Sequence, residues 1–323
     1  MEFVFFKLPE AWVQPGILGH RPSNVSVYPP LGLLYVSSTL RAAGHKVNIF
    51  DFGMESISQE RVAALVNTCD AVGVSVYTNN YLDTLALTKK IKEIDPTVPL
   101  IIGGPHCIFH KANSLHHFTF ADIAVETEGE EVIIDIVQSL EGKKLLSNIP
   151  GIFYRDNTGI HHGPRLILTK NLDTLPFPAR DLVEKYEYGK YPWGYKSKQK
   201  FTSLLTSRGC TFRCRFCARY NNMIEGYGFR QRSAENVVAE LQQIQGKYGT
   251  VSIVDDNFLA DKKRSHQIFD LILEQGIDLD FNINGSRVDS AERSLYEKMR
   301  KAGVQFISFG IESGNQDRDF QMK

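Results

Sequence analysis

Short runs rich in β-branched and aromatic residues alternate with helically spaced segments along most of this chain. No other feature limits the fold as much. A strand, a crossover helix and a further strand form the unit from which parallel sheets are built. In the first half, Phe3–Leu8, Lys46–Phe50, Ala71–Ser75, Pro99–Ile102 and Ile123–Val125 read as strands. The stretches 31–43, 61–66, 82–94 and 130–140 between them read as helices. The first stops at Gly44 and the third at Asp95-Pro96, both ordinary helix terminators. The pattern predicts an α/β protein with a doubly wound parallel sheet over residues 1–146.

Ligands of such sheets bind beyond the carboxyl ends of the strands, near the point where strand order reverses. Two loops there carry candidate residues. One contains Ser75, Tyr77 and Thr78, and the other is Gly103-Gly104-Pro105-His106. Paired glycines allow either a tight turn or close approach of a ligand to the backbone, and both readings stay open. A lone His106 reads as a hydrogen-bonded loop residue before it reads as a metal ligand. Cys69 and Cys107 have no partners at ligand spacing and read as small buried hydrophobes. Glu126, Glu128, Glu130 and Glu131 crowd a helix start, where the helix dipole favours them.

Residues 147–199 read as a connector. Gly151–Tyr154 and Gly159–His161 flank a polar turn and suggest a β-hairpin. The prolines of Leu175-Pro176-Phe177-Pro178-Ala179-Arg180 favour an extended segment. Tyr186, Tyr188, Tyr191, Trp193 and Tyr195 read as packing residues rather than as a base-stacking surface.

The second half, 200–323, places its chemistry after its first strand, Phe201–Thr206. Cys210, Cys214 and Cys217 follow with C-x3-C-x2-C spacing. A short loop of this kind can wrap a [4Fe–4S] cluster while leaving one iron without a protein ligand. A zinc site would want a fourth Cys or His at normal spacing, and none follows. Arg208, Arg213, Arg215 and Arg219 would depress the thiol pKa values. Three further strand–helix units end in Asp255-Asp256, in Gly285-Ser286-Arg287 and in Gly310-Ile311-Glu312-Ser313. In a parallel (β/α) barrel such strand ends converge on one mouth.

Composition adds exclusions. Lys+Arg and Asp+Glu both total 37, so no net charge holds the chain to nucleic acid or anionic lipid. No apolar run reaches the ~18–20 residues of a membrane span. The first residues lack the pattern of a secretory leader. Five cysteines are too few for a disulfide scaffold, so the expectation is a cytoplasmic protein with reduced thiols.

The motif Cys210-x3-Cys214-x2-Cys217, with Phe216 before the last cysteine, resembles the signature of radical S-adenosylmethionine (SAM) enzymes. Asp255-Asp256-x-Phe258 and Gly310-Ile311-Glu312-Ser313-Gly314 resemble elements of the subgroup with an N-terminal cobalamin-binding domain. Pro30-Leu31-Gly32-Leu33-Leu34, Gly103-Gly104-Pro105-His106, Glu128-Gly129-Glu130 and the proline-rich connector also resemble that subgroup. The resemblance covers nearly the whole chain. It implies a flavodoxin-like, cobalamin-binding sheet (1–146), a linker (147–199) and a partial radical SAM barrel (200–323).

By that resemblance, Cys210, Cys214 and Cys217 hold a [4Fe–4S] cluster whose open iron chelates SAM. One electron, supplied by a reductant, cleaves SAM to a 5′-deoxyadenosyl radical. Asp255, Glu312, Ser313 and, less directly, Arg287 fall where the family contacts SAM. Ser75, Tyr77, Thr78, Gly103, Gly104 and His106 fall where it contacts cobalamin. The implied reaction is methylation of an unactivated carbon of a small-molecule or peptide substrate. Non-methylating rearrangement or cyclisation, and an inactive corrinoid-binding product, are the alternatives. The chain departs from the family in two ways. It has no Asp-x-His after the first strand, so cobalamin is expected without a histidine ligand. Only four strands follow the linker where six are expected, so a C-terminally truncated form is expected.

Overall fold

In the computed structural model, residues 1–9, 28–166, 168–189, 200–217, 228–290 and 292–315 are described. Two compact units are present. One comprises Met1–Leu168 with Leu175–Tyr186, and the other Thr169–Thr174 with Glu187–Lys323.

The first unit runs β1 (Glu2–Lys7), α1 (Leu31–Ala42), β2 (Lys46–Asp51), α2 (Gln59–Val66), β3 (Ala71–Ser75), α3 (Tyr81–Ile94) and β4 (Leu100–Gly103). It continues through α4 (Pro105–His110), α5 (Asn113–His117), β5 (Ile123–Val125), α6 (Ile133–Leu140), β6 (Ile152–Asp156) and β7 (Gly159–His162). The sheet order is β2-β1-β3-β4-β5-β6-β7. The first five strands are mutually parallel, with Phe3 opposite both Val47 and Ala71. Strand order therefore reverses at β1, as in a flavodoxin-like sheet.

The alternation of side chains along β1 explains the two covered faces. Val4 and Phe6 join Val72, Val74, Leu100 and Ile102 in a core closed by Val62 and Leu65 of α2 and Leu87 and Ile91 of α3. Helix α1 packs beside α6, whose buried Ile133, Ile136 and Val137 lie one helical face apart. Gly73 is required by packing, because a Cβ there would stand 2.3 Å from two atoms of the Phe5 ring.

Two features depart from the expected layout. Helices α4 and α5 fill a stretch with no clear periodicity. The hairpin expected in the connector instead extends the sheet, with β6 antiparallel to β5 and β7 antiparallel to β6. One Asp156 carboxylate oxygen closes its turn, accepting from the Thr158 amide (2.7 Å), the Thr158 hydroxyl (2.6 Å) and the Gly159 amide (3.2 Å).

The second unit runs β8 (Phe201–Leu204), β9 (Ser207–Arg208), β10 (Arg230–Gln231), α7 (Ala234–Ile244), β11 (Thr250–Ile253), α8 (Lys262–Glu274), β12 (Asp280–Arg287), α9 (Arg293–Lys301) and β13 (Val304–Gly310). Strands β8, β11, β12 and β13 pair in that order and all run parallel. Helices α7, α8 and α9 pack in sequence beside one another. This is the wall of a (β/α) barrel. Ser233 caps α7 by accepting from the Asn236 amide, and Asp261 caps α8 by accepting from the Arg264 amide. The Asp261 cap starts α8 at Lys262. Leu204, Val237, Leu241, Val251, Ile268, Phe269, Phe281, Ile283 and Leu295 form its core. Among the described residues, no helix is long and apolar enough to cross a membrane.

Candidate functional site

The expected strand Phe201–Thr206 ends at Leu204. The chain then turns through Leu205 and Thr206 into β9, which pairs antiparallel with β10, Arg230 opposite Arg208 and Gln231 opposite Ser207. This two-residue ribbon closes the neck of the loop that carries the cysteines. Gly209, at φ +81°, makes the left-handed turn that leads into Cys210. The Cys217 amide donates to the Cys214 carbonyl at 3.2 Å, a tight turn between the last two thiols. Cys210 and Cys214 are half-buried, Cys217 is exposed, and no disulfide joins them.

The neck is fixed by buried charge. Asp255, at the end of β11, is 2% exposed. Its carboxylate accepts from the Thr206 amide (2.7 Å), the Thr206 hydroxyl (2.5 Å) and the Ser207 hydroxyl (2.5 Å). Burial pushes its pKa up, opposed by those hydrogen bonds and by Arg264. Arg264 donates to the Thr206 carbonyl (2.7 Å) and the Arg232 carbonyl (2.6 Å). Arg232 donates to the Leu205 carbonyl (2.8 Å) and pairs with Glu240 at 2.5 Å, both side chains almost fully buried. Asp255 thus lies beneath the cysteine loop with its oxygens engaged. These bonds tie the end of β11 to the neck of the loop.

Arg287 is the strand-end residue that the structure brings to a cysteine. A bulge in β12, between Ile283 and Ser286, re-aims the end of the strand. Gly285 permits it, at φ +72°, with its Cα so close that a Cβ would stand 2.3 Å from the Asp255 carbonyl oxygen. The Arg287 guanidinium stacks 3.8 Å from the centre of the Phe212 ring and points Nη1 at the Cys214 Sγ, 3.7 Å away. Hydrogen bonds that the Arg287 guanidinium donates to Asp289 raise its pKa and keep it cationic beside the thiols.

Glu312 and Ser313 follow β13. Glu312 holds a left-handed backbone at φ +61°, a conformation that costs a non-glycine residue about 1 kcal/mol or more. Its carboxylate folds back over Gly310, where a Cβ would stand 2.6 Å from Oε1. Glu312 is exposed and Ser313 half-buried. Arg219, the aromatic residues Tyr191, Trp193 and Tyr195, and residues 10–27 of the loop after β1 lie outside the described residues. Tyr186 and Tyr188 are buried, as packing residues should be.

In the first unit, Ser75 is half-buried and Tyr77 and Thr78 are exposed beyond β3. Gly104, at φ +100°, packs against Val76, whose carbonyl oxygen would stand 3.0 Å from a Cβ. The turn reading therefore accounts for Gly104. Gly103 accepts from the Val76 amide at 2.7 Å and ties the two loops together. His106 is 2% exposed, and its ring nitrogens face Thr78 (3.2 Å) and His117 (3.1 Å). Cys107 is fully buried, its thiol pushed up to about 12. Cys69 is half-buried and pushed up to about 11 by the same cause. Glu126 pairs with His162 of the hairpin at 2.5 Å, a partner no local pattern signals.

The donor set suits the expected groups. Three thiols on one closed loop, with a cation beside them and no fourth cysteine, fit a [4Fe–4S] cluster with one open iron. At the carboxyl edge of the first sheet, just beyond β5, the buried Thr127 hydroxyl has no hydrogen-bond partner among the described residues, a polar atom that an arriving group would satisfy.

Residues 23–137 match the B12 binding domain family, and residues 204–323 match the Radical SAM superfamily. An uncharacterized methyltransferase of Pyrococcus horikoshii is 31% identical, over 89% of this chain and 61% of its own length. The cytidylyl-2-hydroxyethylphosphonate methyltransferase of Streptomyces wedmorensis is 26% identical, over 89% of this chain and 62% of its own. The chain thus spans about three-fifths of the length of these relatives. Among solved structures, the cobalamin-dependent SAM radical enzyme OxsB shares the fold with TM-score 0.79, at 19% identity over 99% of this chain and 45% of its own. The radical SAM methyltransferase TsrM of Kitasatospora setae follows with TM-score 0.73, at 13% identity over 98% of this chain and 62% of its own. The chain therefore carries a B12-binding domain followed by a radical SAM domain and is homologous to cobalamin-dependent radical SAM methyltransferases.

Proposed function

We propose that the protein of which these residues form at least the first part methylates an unactivated carbon, using a [4Fe–4S] cluster, SAM and cobalamin. The observation that carries this reading is the cysteine loop, clamped by the β9–β10 ribbon at the carboxyl edge of a parallel sheet behind a B12-binding domain. When bound, the cluster and cobalamin supply radical generation and methyl transfer, and the chain's residues bind, orient and shield them. Cys210, Cys214 and Cys217 would hold the cluster. Arg287 would offset its charge, and Glu312 and Ser313 would meet SAM. Asp255 acts through the loop as a positioning residue. Ser75, Tyr77, Thr78, Gly103, Gly104 and His106 would border cobalamin. A one-electron donor and a reducing, cytoplasmic setting belong to the same reading.

Magnesium-protoporphyrin IX monomethyl ester cyclases also match the chain, at 26% identity for that of Synechocystis, and keep cyclisation as the second reading. Anaerobic reconstitution with iron and sulfide, followed by SAM and a reductant, should give 5′-deoxyadenosine. Label from methyl-labelled SAM should appear in product for a methyltransferase and be absent for a cyclase. No cluster-dependent SAM cleavage, or cleavage that survives Cys214→Ala, would overturn the proposal.

A further inference from the structure

His106, His110 and His117 converge in the first unit, away from the cysteine loop in sequence and without a role in the reading above that needs all three. Pro105–His110 is a single short helix, so His106 and His110, four residues apart, share one face. The chain reverses at Lys111, a left-handed residue at φ +49°, and α5 returns to bring His117 against them. One ring nitrogen from each histidine can be chosen so that all three lie within 4.8 Å of one another. Ring centroids stand 4.2 Å apart for His106 and His110, 4.9 Å for His110 and His117, and 5.3 Å for His106 and His117. Two nitrogens bound to one tetrahedral zinc at about 2.0–2.1 Å are roughly 3.3 Å apart, so modest side-chain movement suffices.

We propose that His106, His110 and His117 form a binding site for a divalent late transition-metal ion of the zinc class, distinct from the cysteine loop and sharing His106 with the loops proposed to border cobalamin. An all-imidazole set suits Zn²⁺, Co²⁺, Ni²⁺ or Cu²⁺ and excludes Mg²⁺ and Ca²⁺, which take oxygen ligands. His106 is the anchor. Its Nδ1 lies 3.2 Å from the Thr78 hydroxyl, the outer-shell contact that fixes the tautomer of a metal-bound histidine, and its Nε2 is turned to the cluster. Tyr81 and Phe118 pack around the rings and limit their alternatives. The bound ion would staple α4 to α5 directly after the Gly103-Gly104 turn, and three protein ligands leave a fourth position for water or another donor.

The test uses the full chain with Cys210, Cys214 and Cys217 replaced by serine, so that thiols do not compete. Zn²⁺ is titrated against a chromophoric chelator. One equivalent should bind. His110→Ala and His117→Ala, which alter half-buried side chains, should each weaken binding on the order of 100-fold or more, and Thr78→Val about 10-fold. His116→Ala, one residue away and exposed, should leave affinity unchanged. If the serine variant does not fold, the wild-type chain with alkylated thiols serves for the same titration. Absence of stoichiometric zinc, or equal affinity in the His110→Ala and His117→Ala variants, would overturn the site and leave three hydrogen-bonded, stacked imidazoles.

Discussion

Replacing Asp255 tests the link between the buried charge beneath the cysteine loop and the loop's function. In Asp255→Ala the Thr206 amide and the hydroxyls of Thr206 and Ser207 lose their acceptor inside a site that is 2% exposed to solvent. An orphaned buried donor costs about 1–3 kcal/mol. The backbone amide cannot turn away, whereas each hydroxyl can rotate toward another acceptor and recover part of its loss. Relief from burying the carboxylate works in the opposite direction, but it leaves Arg264 without its buried counter-charge. Breaking a buried charged network from one side costs about 3–5 kcal/mol, and this range is the expected loss for alanine. Asparagine keeps one oxygen for the Thr206 amide and presents an amide group that the hydroxyls can accept, so about 1–2 kcal/mol is expected.

Urea unfolding at pH 7, followed separately in the second unit by its own probe, measures these losses. Iron content after anaerobic reconstitution reads the loop, and should fall markedly in the alanine variant and less in asparagine. The pH dependence fixes the sign. Burial raises the Asp255 pKa above its ordinary 3.8, so the folded state takes up a proton before the unfolded state does. This proton-linked stability is fully present below about pH 3.8 and is lost as pH rises through the folded-state pKa. Wild type should therefore gain on Asp255→Asn as pH falls through that window. If Asp255→Ala keeps wild-type stability and full iron while losing only SAM affinity, Asp255 is a ligand residue and the positioning argument fails.

Three other perturbations follow from the same geometry. Gly73→Ala places a Cβ 2.3 Å from the Phe5 ring, so overpacking should cost about 1–3 kcal/mol in thermal or urea unfolding of the first unit, and adding Phe5→Leu should restore part of it. Arg287→Ala removes the cation stacked on Phe212 beside Cys214; iron content should hold while SAM affinity, read by equilibrium dialysis, drops about 10-fold, and an unchanged affinity would remove Arg287 from the site. Asp156, held down to about 2 by hydrogen bonds from Thr158, lends its turn stability that is present above about pH 3.8 and lost as pH falls toward 2. Amide exchange at Thr158 and Gly159 should accelerate across that window in wild type, and in Asp156→Ala should already be fast at neutral pH.

Local signals exposed the strand and helix pattern because each parallel strand is a continuous apolar run and each crossover helix carries its own stripe. Gly44 and Gly303, at φ +86° and +97°, close helices where only left-handed backbone serves, and such stops are visible in one residue. The three thiols were visible for the same reason, since their C-x3-C-x2-C spacing is local in sequence. What escaped depends on distant partners. Ser207 and Arg208 become a strand only because Arg230 and Gln231, more than twenty residues on, pair with them. The hairpin at 152–162 joins the first sheet because β5 offers it an open edge, which no feature of the hairpin announces. The hydrogen bonds of Asp255 to Thr206 and Ser207 also escaped, because those partners lie some fifty residues earlier in the chain. His110 and His117 gave no signal singly, since it takes the reversal at Lys111 to bring them onto His106.

The two units secure their carboxyl-edge loops by different physics, and this sets where each tolerates change. In the first unit the loops after β3 and β4 are tied by backbone hydrogen bonds and close packing: the Val76 amide to the Gly103 carbonyl, the His106 amide to the Val76 carbonyl, and Gly104 against Val76. Their polar side chains, Tyr77 and Thr78, stay exposed and can be exchanged without unpicking the turn. In the second unit the neck of the cysteine loop hangs on the side chains of Asp255, Arg264, Arg232 and Glu240, all buried and mutually dependent. Such a network holds geometry tightly when complete and loses it abruptly when one member goes. Binding at a loop of the first kind can be retuned by surface substitution. A loop of the second kind cannot, because the positions of its thiols are set by residues buried away from solvent.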